Sequence, residues 1–158
     1  QQRLAKVKEI VLPQFDSQEV AKRTLSTHWK GLTDQQRKEF VQLFIALVEQ
    51  TYSHNLVRYN NGVQVFFDHG RIEDQFSEVD TRVLDPVQNR TFSIGYRLHN
   101  VNGKWLVYDV VIENVSMVQN YRNQFNRILT KSSYEELIKA LQNKIHELDT
   151  ASASDSKG

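Results

Sequence analysis

The chain has 158 residues, which is enough for a single domain with a substantial hydrophobic core. Its 20 Lys and Arg residues nearly balance its 19 Asp and Glu residues, and this net charge of +1 argues against a dedicated nucleic-acid-binding protein. It contains no cysteine, which excludes disulfides, thiol catalysis and thiolate metal sites.

The N-terminal third is predicted to be helical. Apolar residues at helical spacing indicate a short helix that is closed by Pro13 and a second helix that begins at Asp16. Thr33 and Gln36 then form a predicted capping box. This box opens the longest predicted helix, at about residues 34–57, whose wide apolar stripe consists of large side chains.

The middle of the chain is predicted to form a sheet, because the period of its hydrophobic pattern falls to two. The predicted strands span residues 63–67, 76–84, 91–98 and 105–112. The predicted turns between them lie at residues 68–70, 85–86 and 100–103. Since short turns join strands that follow one another along the chain, we expect an antiparallel meander.

Two helices are predicted after the sheet. One follows the last strand almost without a loop, and Ser116 with Gln119 is its candidate capping box. The other begins near Ser132 or Ser133 and carries apolar residues at helical spacing as far as Leu148. The small polar residues 150–158 are predicted to be a disordered tail.

The overall pattern predicts an α+β fold, with one domain over residues 1–149. We expect a curved antiparallel four-stranded sheet packed against several helices. Large aromatic residues occur on almost every element, and a curved sheet capped by a long helix tends to leave a cone between them. The pattern is therefore compatible with an enclosed apolar, cone-shaped pocket, although pattern alone favours an ordinary aromatic core.

Catalytic and metal-binding motifs are scarce. The five histidines have no metal-ligand spacing, and neither a nucleophile elbow nor a phosphate-binding glycine loop occurs, so no catalytic residue, metal or cofactor is predicted. Asp109 interrupts an otherwise apolar strand, where it would accept hydrogen bonds or act as an acid or base. Arg122, Arg127 and Lys131 form either the solvated face of a helix or a phosphate contact.

An ordered set of short motifs runs from about Leu4 to Leu148. It consists of Leu12-Pro13, Phe15-Asp16, Trp29-Lys30-Gly31-Leu32-Thr33, Gln36-Arg37, Phe40, Thr51-Tyr52, Trp105, Tyr108-Asp109-Val110, Glu113-Asn114-Val115-Ser116, Tyr121-Arg122, Gln124-Phe125, Leu137-Ile138 and Leu141. In this order and spacing the motifs resemble the MlaC family, also called the toluene-tolerance family. Asn114 and Ser132 depart from the resemblance, since the family usually has Gly at both positions.

The resemblance implies a periplasmic phospholipid carrier from a Gram-negative bacterium. Such a carrier shuttles lipid between an outer-membrane Mla lipoprotein complex and an inner-membrane Mla ABC transporter, and it is not an enzyme. It also implies a removed signal peptide and further helix ahead of Leu4. Three alternatives remain: a carrier of a hopanoid-like lipid, a cone-fold enzyme with Asp109 as its base, and an interaction module whose core is filled.

The carrier hypothesis makes an explicit prediction about the pocket. Its acyl chains would lie between sheet and helices, against large apolar side chains. The predicted lipid-binding residues are Phe44, Val48, Tyr52, Val65, Phe67, Phe92, Ile94, Tyr96, Val107, Val111, Val118, Tyr121 and Phe125. The strand assignments assume regular alternation, so a shift of one residue would move a strand's whole set to the other face.

Overall fold

In the computed structural model, which describes residues 2–58 and 62–155, the chain forms helices, then a sheet, then further helices. The first helices are α1 (Gln2–Val11), α2 (Ser17–Leu25) and α3 (Asp34–Arg58), and 3₁₀ turns follow α1 and α2 at Leu12–Gln14 and Ser26–Gly31. The strands are β1 (Gln64–Glu73), β2 (Phe76–Asp85), β3 (Arg90–Val101), β4 (Lys104–Ile112) and β5 (Val115–Ser116). They precede α4 (Met117–Leu129) and α5 (Tyr134–Asp155). The predicted α+β fold is confirmed.

Side-chain caps define where the helices begin, at the positions that the sequence predicted. Asp16 accepts a hydrogen bond from the first turn of α2. At the start of α3, Thr33 and Gln36 each accept a bond from the other's backbone N–H, at 3.2 and 2.9 Å. At the start of α4, the Ser116 hydroxyl accepts a bond from Gln119 N at 3.0 Å. These bonds satisfy N–H groups that have no partner within the helix.

The sheet is an antiparallel meander, but it has five strands instead of the predicted four. The extra strand, β5, pairs with the end of β4 across a two-residue turn. Glu113 and Asn114 in this turn have φ values of 49° and 64°. Positive φ at both central positions is typical of type I′ hairpin turns, and Asn tolerates it better than most residues. A strand of two residues is too short for hydrophobic alternation to reveal.

A β-bulge lies where the sequence predicts a turn after the first strand. Residues 68–70 are part of β1, which continues past them. The register with β2 shifts between Phe67 and His69, so Asp68 is the extra residue of the bulge. Its carboxylate accepts hydrogen bonds from Arg82 Nε at 2.8 Å. The polar run therefore marks an irregularity within the strand, and the predicted turn is wrong.

The main hydrophobic core lies between helices. Among the described residues, its buried members all come from α2, α3, α4, α5 and the 3₁₀ turn that holds Trp29. Its centre is aromatic: the Phe44 ring lies 5.3 Å from Tyr121 and 6.1 Å from Phe125, edge to face in both cases. Phe40 stacks on Phe44 at 6.0 Å. Such ring contacts add about 0.5–1.5 kcal/mol each beyond area burial. The helices thus bury most of their aromatic surface against one another.

The C-terminal helix is longer than predicted. α5 continues to Asp155, so residues 150–155 of the predicted disordered tail are helical, while residues 156–158 lie outside the described residues. The hydroxyls of Thr150 and Ser154 donate to carbonyl oxygens of the preceding turn. Small polar residues extend an existing helix easily, because elongation costs far less than nucleation. The single domain over residues 1–149 stays a prediction.

Asp109 joins the sheet to α4. Its side chain is only 4% exposed. Oδ1 accepts bonds from Val110 N at 2.8 Å and Val118 N at 3.0 Å, while Oδ2 accepts from the Ser116 hydroxyl and from Arg97 Nη1 at 3.3 Å. The carboxylate also faces the positive end of the helix dipole. One buried side chain therefore contacts β3, β5 and α4, in addition to its own strand.

Replacing Phe44 by Ala should lower the free energy of unfolding by about 3–5 kcal/mol, because it leaves a cavity among packed rings. Urea denaturation followed by circular dichroism measures the change. Val87 is 73% exposed, and Val87→Ala is the control, with an expected change within about 0.5 kcal/mol. Equal stability of the two variants would contradict the helical core.

Replacing Asp109 by Ala should lower the free energy of unfolding by about 2–4 kcal/mol, because the buried N–H of Val118 loses its acceptor. Asp109→Asn keeps a carbonyl oxygen, so its free energy of unfolding should fall by less. Asp68→Ala removes the exposed ion pair with Arg82, and thermal denaturation should detect a much smaller change. Similar losses of stability in Asp68→Ala and Asp109→Ala would rule out the joining role of Asp109.

Candidate functional site

The register of the first three strands gathers five of the predicted residues on one side. Residues directly opposite each other in an antiparallel pair project from the same face. Val83 of β2 lies opposite Val65 on one side and Phe92 on the other, and Thr81 lies likewise between Phe67 and Ile94. Tyr96 follows by alternation along β3. We call this side the apolar face; it carries Val65, Phe67, Phe92, Ile94 and Tyr96.

The apolar face is open at β1 and covered toward β4. Val65, Phe67 and Ile72 of β1 are 63%, 68% and 69% exposed. By contrast, Val83 on β2 and Val107 on β4 are only 6% and 7% exposed. A surface on which several large apolar side chains are this exposed is more often a binding site than ordinary solvent-facing surface. In the part of the chain that the structure describes, the apolar face is therefore exposed along the β1 edge of the sheet.

The structure corrects the facing of Val111. Regular alternation would place Val107 and Val111 on the same side, but the β3–β4 register shifts by one residue at Tyr108. Such a bulge reverses the facing of every later residue in the strand. Val107 stays on the apolar face, whereas Val111 projects from the opposite side, against Gly95. Val110, opposite Tyr96, takes the position that was predicted for Val111.

The predicted helical residues divide into two groups. Phe44, Val118, Tyr121 and Phe125 are at most 7% exposed and pack within the helical core. Val48 and Tyr52 of α3 are half-buried and lie at the margin of that core. The alternative of an ordinary aromatic core therefore describes the first group. Contact of either group with a lipid stays a prediction.

Three tyrosine hydroxyls add polarity to this mostly apolar region. Burial is the main cause that raises the pKa of Tyr52, Tyr96 and Tyr121 above the ordinary value. The neighbouring side chains of Thr81 and Thr51 partly offset this rise in the pKa of Tyr96 and of Tyr121, respectively. All three tyrosines are consequently neutral at physiological pH and supply no charge for catalysis.

A polar cavity of about 400 Å³ lies around Asp109. Its lining residues are Arg23, Arg97, Tyr108, Asp109, Ser116, Val118, Gln119 and Arg122. From the sequence, Arg122 was assigned either to the solvated face of a helix or to a phosphate contact. Arg127, predicted with it, is exposed and donates from Nε to the Asn123 carbonyl of its own helix. Sequence reasoning missed the other two arginines, because no local pattern links α2 and β3 to α4.

Neither a metal centre nor a membrane-spanning helix is found within residues 2–58 and 62–155. No group of three or more His, Cys, Asp or Glu side chains there is placed to hold a metal ion. No helix in the same ranges combines the length and hydrophobicity needed to cross a bilayer.

Comparison with known proteins identifies relatives of the chain. A family model described as MlaC protein matches residues 1–143. The chain is 26% identical over 139 residues to the intermembrane phospholipid transport system binding protein MlaC of Haemophilus influenzae, covering 86% of this chain and 65% of that protein. It is 25% identical over 119 residues to toluene tolerance protein ttg2D of Pseudomonas putida, covering 73% and 54%. The chain thus spans slightly less than two thirds and about half of these relatives.

A solved structure shares the fold. It is a phospholipid-binding protein of Ralstonia solanacearum, in complex with a phospholipid, which superposes with a TM-score of 0.85 over 94% of this chain and 83% of that one. At 20% sequence identity, the likeness establishes the architecture of helices and curved sheet. Since the family model covers residues 1–143 of 158, the chain belongs to the MlaC family.

Proposed function

We propose that the chain is a carrier that binds the acyl chains of a phospholipid and moves the lipid between two membranes. The observation that carries the proposal is the open apolar face, where Val65 and Phe67 are 63% and 68% exposed on the side that Phe92, Ile94 and Tyr96 share. Membership of the MlaC family supports it. So do the name of the Haemophilus influenzae relative and the phospholipid in the Ralstonia solanacearum structure.

The energetics of lipid transfer suit this face. Two acyl chains contain about thirty methylenes, and exposing them to water costs on the order of 20 kcal/mol at about 0.8 kcal/mol each. A carrier must therefore cover the tails, yet bind them no more firmly than a bilayer does, or release stalls. An open apolar surface with few hydrogen-bonding groups meets both requirements.

The proposed binding surface consists mainly of sheet residues. It includes Val65, Phe67, Phe92, Ile94, Tyr96 and Val107 from the predicted set, with Val110 in place of Val111. On the helical side we retain Val48 and Tyr52, because they lie at the margin of the helical core and are only half-buried. The four buried helical residues of the predicted set would reach a lipid only if the core rearranged.

The proposal includes a location and partners. The carrier would act in the periplasm, between the inner-membrane Mla ABC transporter complex and the outer-membrane Mla lipoprotein complex. This role involves binding and release without a chemical step, so we propose that the chain is not an enzyme. In keeping with this, both oxygens of Asp109, the candidate base, are engaged in hydrogen bonds to described groups.

Lipid that copurifies with the protein provides the first test. Protein prepared without detergent should release about one phospholipid per chain into organic solvent, identified by mass spectrometry. It should also transfer labelled phospholipid between two vesicle populations. A polycyclic hopanoid-like lipid in the extract would replace the phospholipid as cargo. The absence of both lipid and transfer activity would reject the carrier.

Adjacent residues on opposite faces of β1 provide a sharper test. Phe67→Asp places a charge on the apolar face and should lower lipid retention and transfer by at least about tenfold, because a carboxylate under an acyl chain has no partner. Phe66 projects from the other side, where Arg82 lies 5.6 Å from its ring, so Phe66→Asp gains a charge partner and should retain lipid.

Both variants of β1 lie on exposed positions and should keep the circular dichroism spectrum of the parent protein. Equal lipid retention by the Phe67 and Phe66 variants would exclude the apolar face as the binding surface. Loss of lipid by the Phe66 variant alone would assign binding to the opposite side of the sheet.

A further inference from the structure

The polar cavity around Asp109 lies on the side of the sheet opposite the apolar face. Arg97 and Asp109 face each other across β3 and β4, and they alternate with Tyr96 and Val110, which belong to the apolar side. Three arginines line the cavity, from α2, β3 and α4, and we call it the arginine cavity: Arg23, Arg97 and Arg122. The carrier role does not use it, because lipid tails would lie across the sheet from it.

The lining of the arginine cavity has an excess of positive charge. Its three guanidinium groups face two carboxylates, Asp109 in the lining and Glu19 beside Arg23, which leaves a local charge of +1. Asp109 does not present a negative surface to the cavity, because its residue is 3% exposed and its oxygens accept bonds from α4 and its surroundings. Glu19 pairs with Arg23 from outside the lining, at 3.0 Å.

Contacts with neighbouring groups hold Arg23 and Arg122 in position. Arg23 lies over the Tyr108 ring, with Cζ 4.1 Å from the ring centroid, and donates from Nε to Glu19. Arg122 donates from Nε to the Arg23 carbonyl at 2.9 Å and from Nη1 to Gln119 at 3.2 Å. A positioned guanidinium loses less entropy when it binds a ligand.

Donor groups remain for a ligand. Among the described residues, no hydrogen bond is formed by Nη1 or Nη2 of Arg23, by Nη2 of Arg97 or by Nη2 of Arg122. The side chains of Arg23 and Arg97 are 33% and 43% exposed, so solutes reach them. Forked N–H groups of this kind bind carboxylate and phosphate oxygens in pairs.

We propose that the arginine cavity binds a phosphate monoester or inorganic phosphate. Such an anion carries about −1.5 to −2 at pH 7 and presents three acceptor oxygens, which suit three guanidinium groups that keep terminal N–H donors. A carboxylate has only two oxygens and would engage one guanidinium as a bidentate pair. The phosphate could be free in solution or could be the headgroup of a phosphomonoester lipid in a membrane surface. The amides at the N-terminus of α4 are not the donors, since Asp109 and Ser116 already occupy them.

Titration with inorganic phosphate tests the site on the intact chain. At constant ionic strength, with chloride as the reference, phosphate should cause saturable NMR shifts of the arginine Nε–H signals and of the Val118 and Gln119 amides. Arg122→Gln should weaken binding by about tenfold, which is the loss expected for one charge-assisted hydrogen bond. Arg127→Gln is the matched control on the same helix and should leave the affinity unchanged.

Two results would overturn the site: shifts that do not exceed those in chloride, or equal weakening by the two variants. If Arg122→Gln does not fold, Arg23→Gln tests the same cavity. Arg122→Gln and Arg23→Gln should each retain copurified lipid. A negative result for phosphate binding would therefore not count against the carrier proposal.

Vesicles distinguish the two sources of phosphate. In sedimentation assays, phosphatidylcholine vesicles containing phosphatidic acid should bind the protein, and Arg122→Gln should reduce that binding relative to Arg127→Gln if a lipid headgroup is the ligand. Phosphate binding in solution, with no difference between the variants on vesicles, would assign the site to a soluble phosphate ester.

Discussion

The bulge at Tyr108 is the constraint on which the two faces of the sheet depend. Without it, Asp109 would alternate onto the side of Val107 and place a carboxylate on the apolar face. With the register shifted, Asp109 projects from the opposite side, where it caps α4 and pairs with Arg97. One extra residue in β4 thus keeps charge away from the apolar face and at the same time supplies the contact that joins sheet and helices.

Apolar surface is used in two ways in this fold. The helices close on one another around rings such as Phe40 and Phe44, and this core needs no ligand. The sheet leaves Phe67 and Ile72 exposed at 68% and 69%, and full burial of such a side chain contributes about 1.5–3 kcal/mol. Stability that resides mainly in the helices leaves the sheet free to gain and lose a hydrophobic partner, as lipid transfer requires.

The same strands also separate two binding chemistries. Along β3, Tyr96 belongs to the apolar face and the next residue, Arg97, belongs to the arginine cavity. Because consecutive side chains of a strand project to opposite faces, neighbouring residues can serve a lipid tail and an anion without interfering. The proposed carrier and the proposed phosphate site therefore require no common residue.

Much of the architecture was predictable from short-range signals. The caps at Asp16, Thr33 and Ser116 and the longer strands depend on residues close together in the chain. The membership of the family depends on the order and spacing of short motifs along nearly the whole chain. Where alternation was unbroken, as in β3, it also grouped Phe92, Ile94 and Tyr96 on one side of the sheet. The sequence by itself therefore determined the helices, the four longer strands, their order and the family.

Only the tertiary structure decided the face of Val111, the fifth strand and the meeting of Arg23 with Arg122, which lie 99 residues apart. A bulge is a property of two paired strands, and a cavity is a property of elements packed together. Neither leaves a periodic trace in one segment, because the energy that favours it comes from contacts between segments.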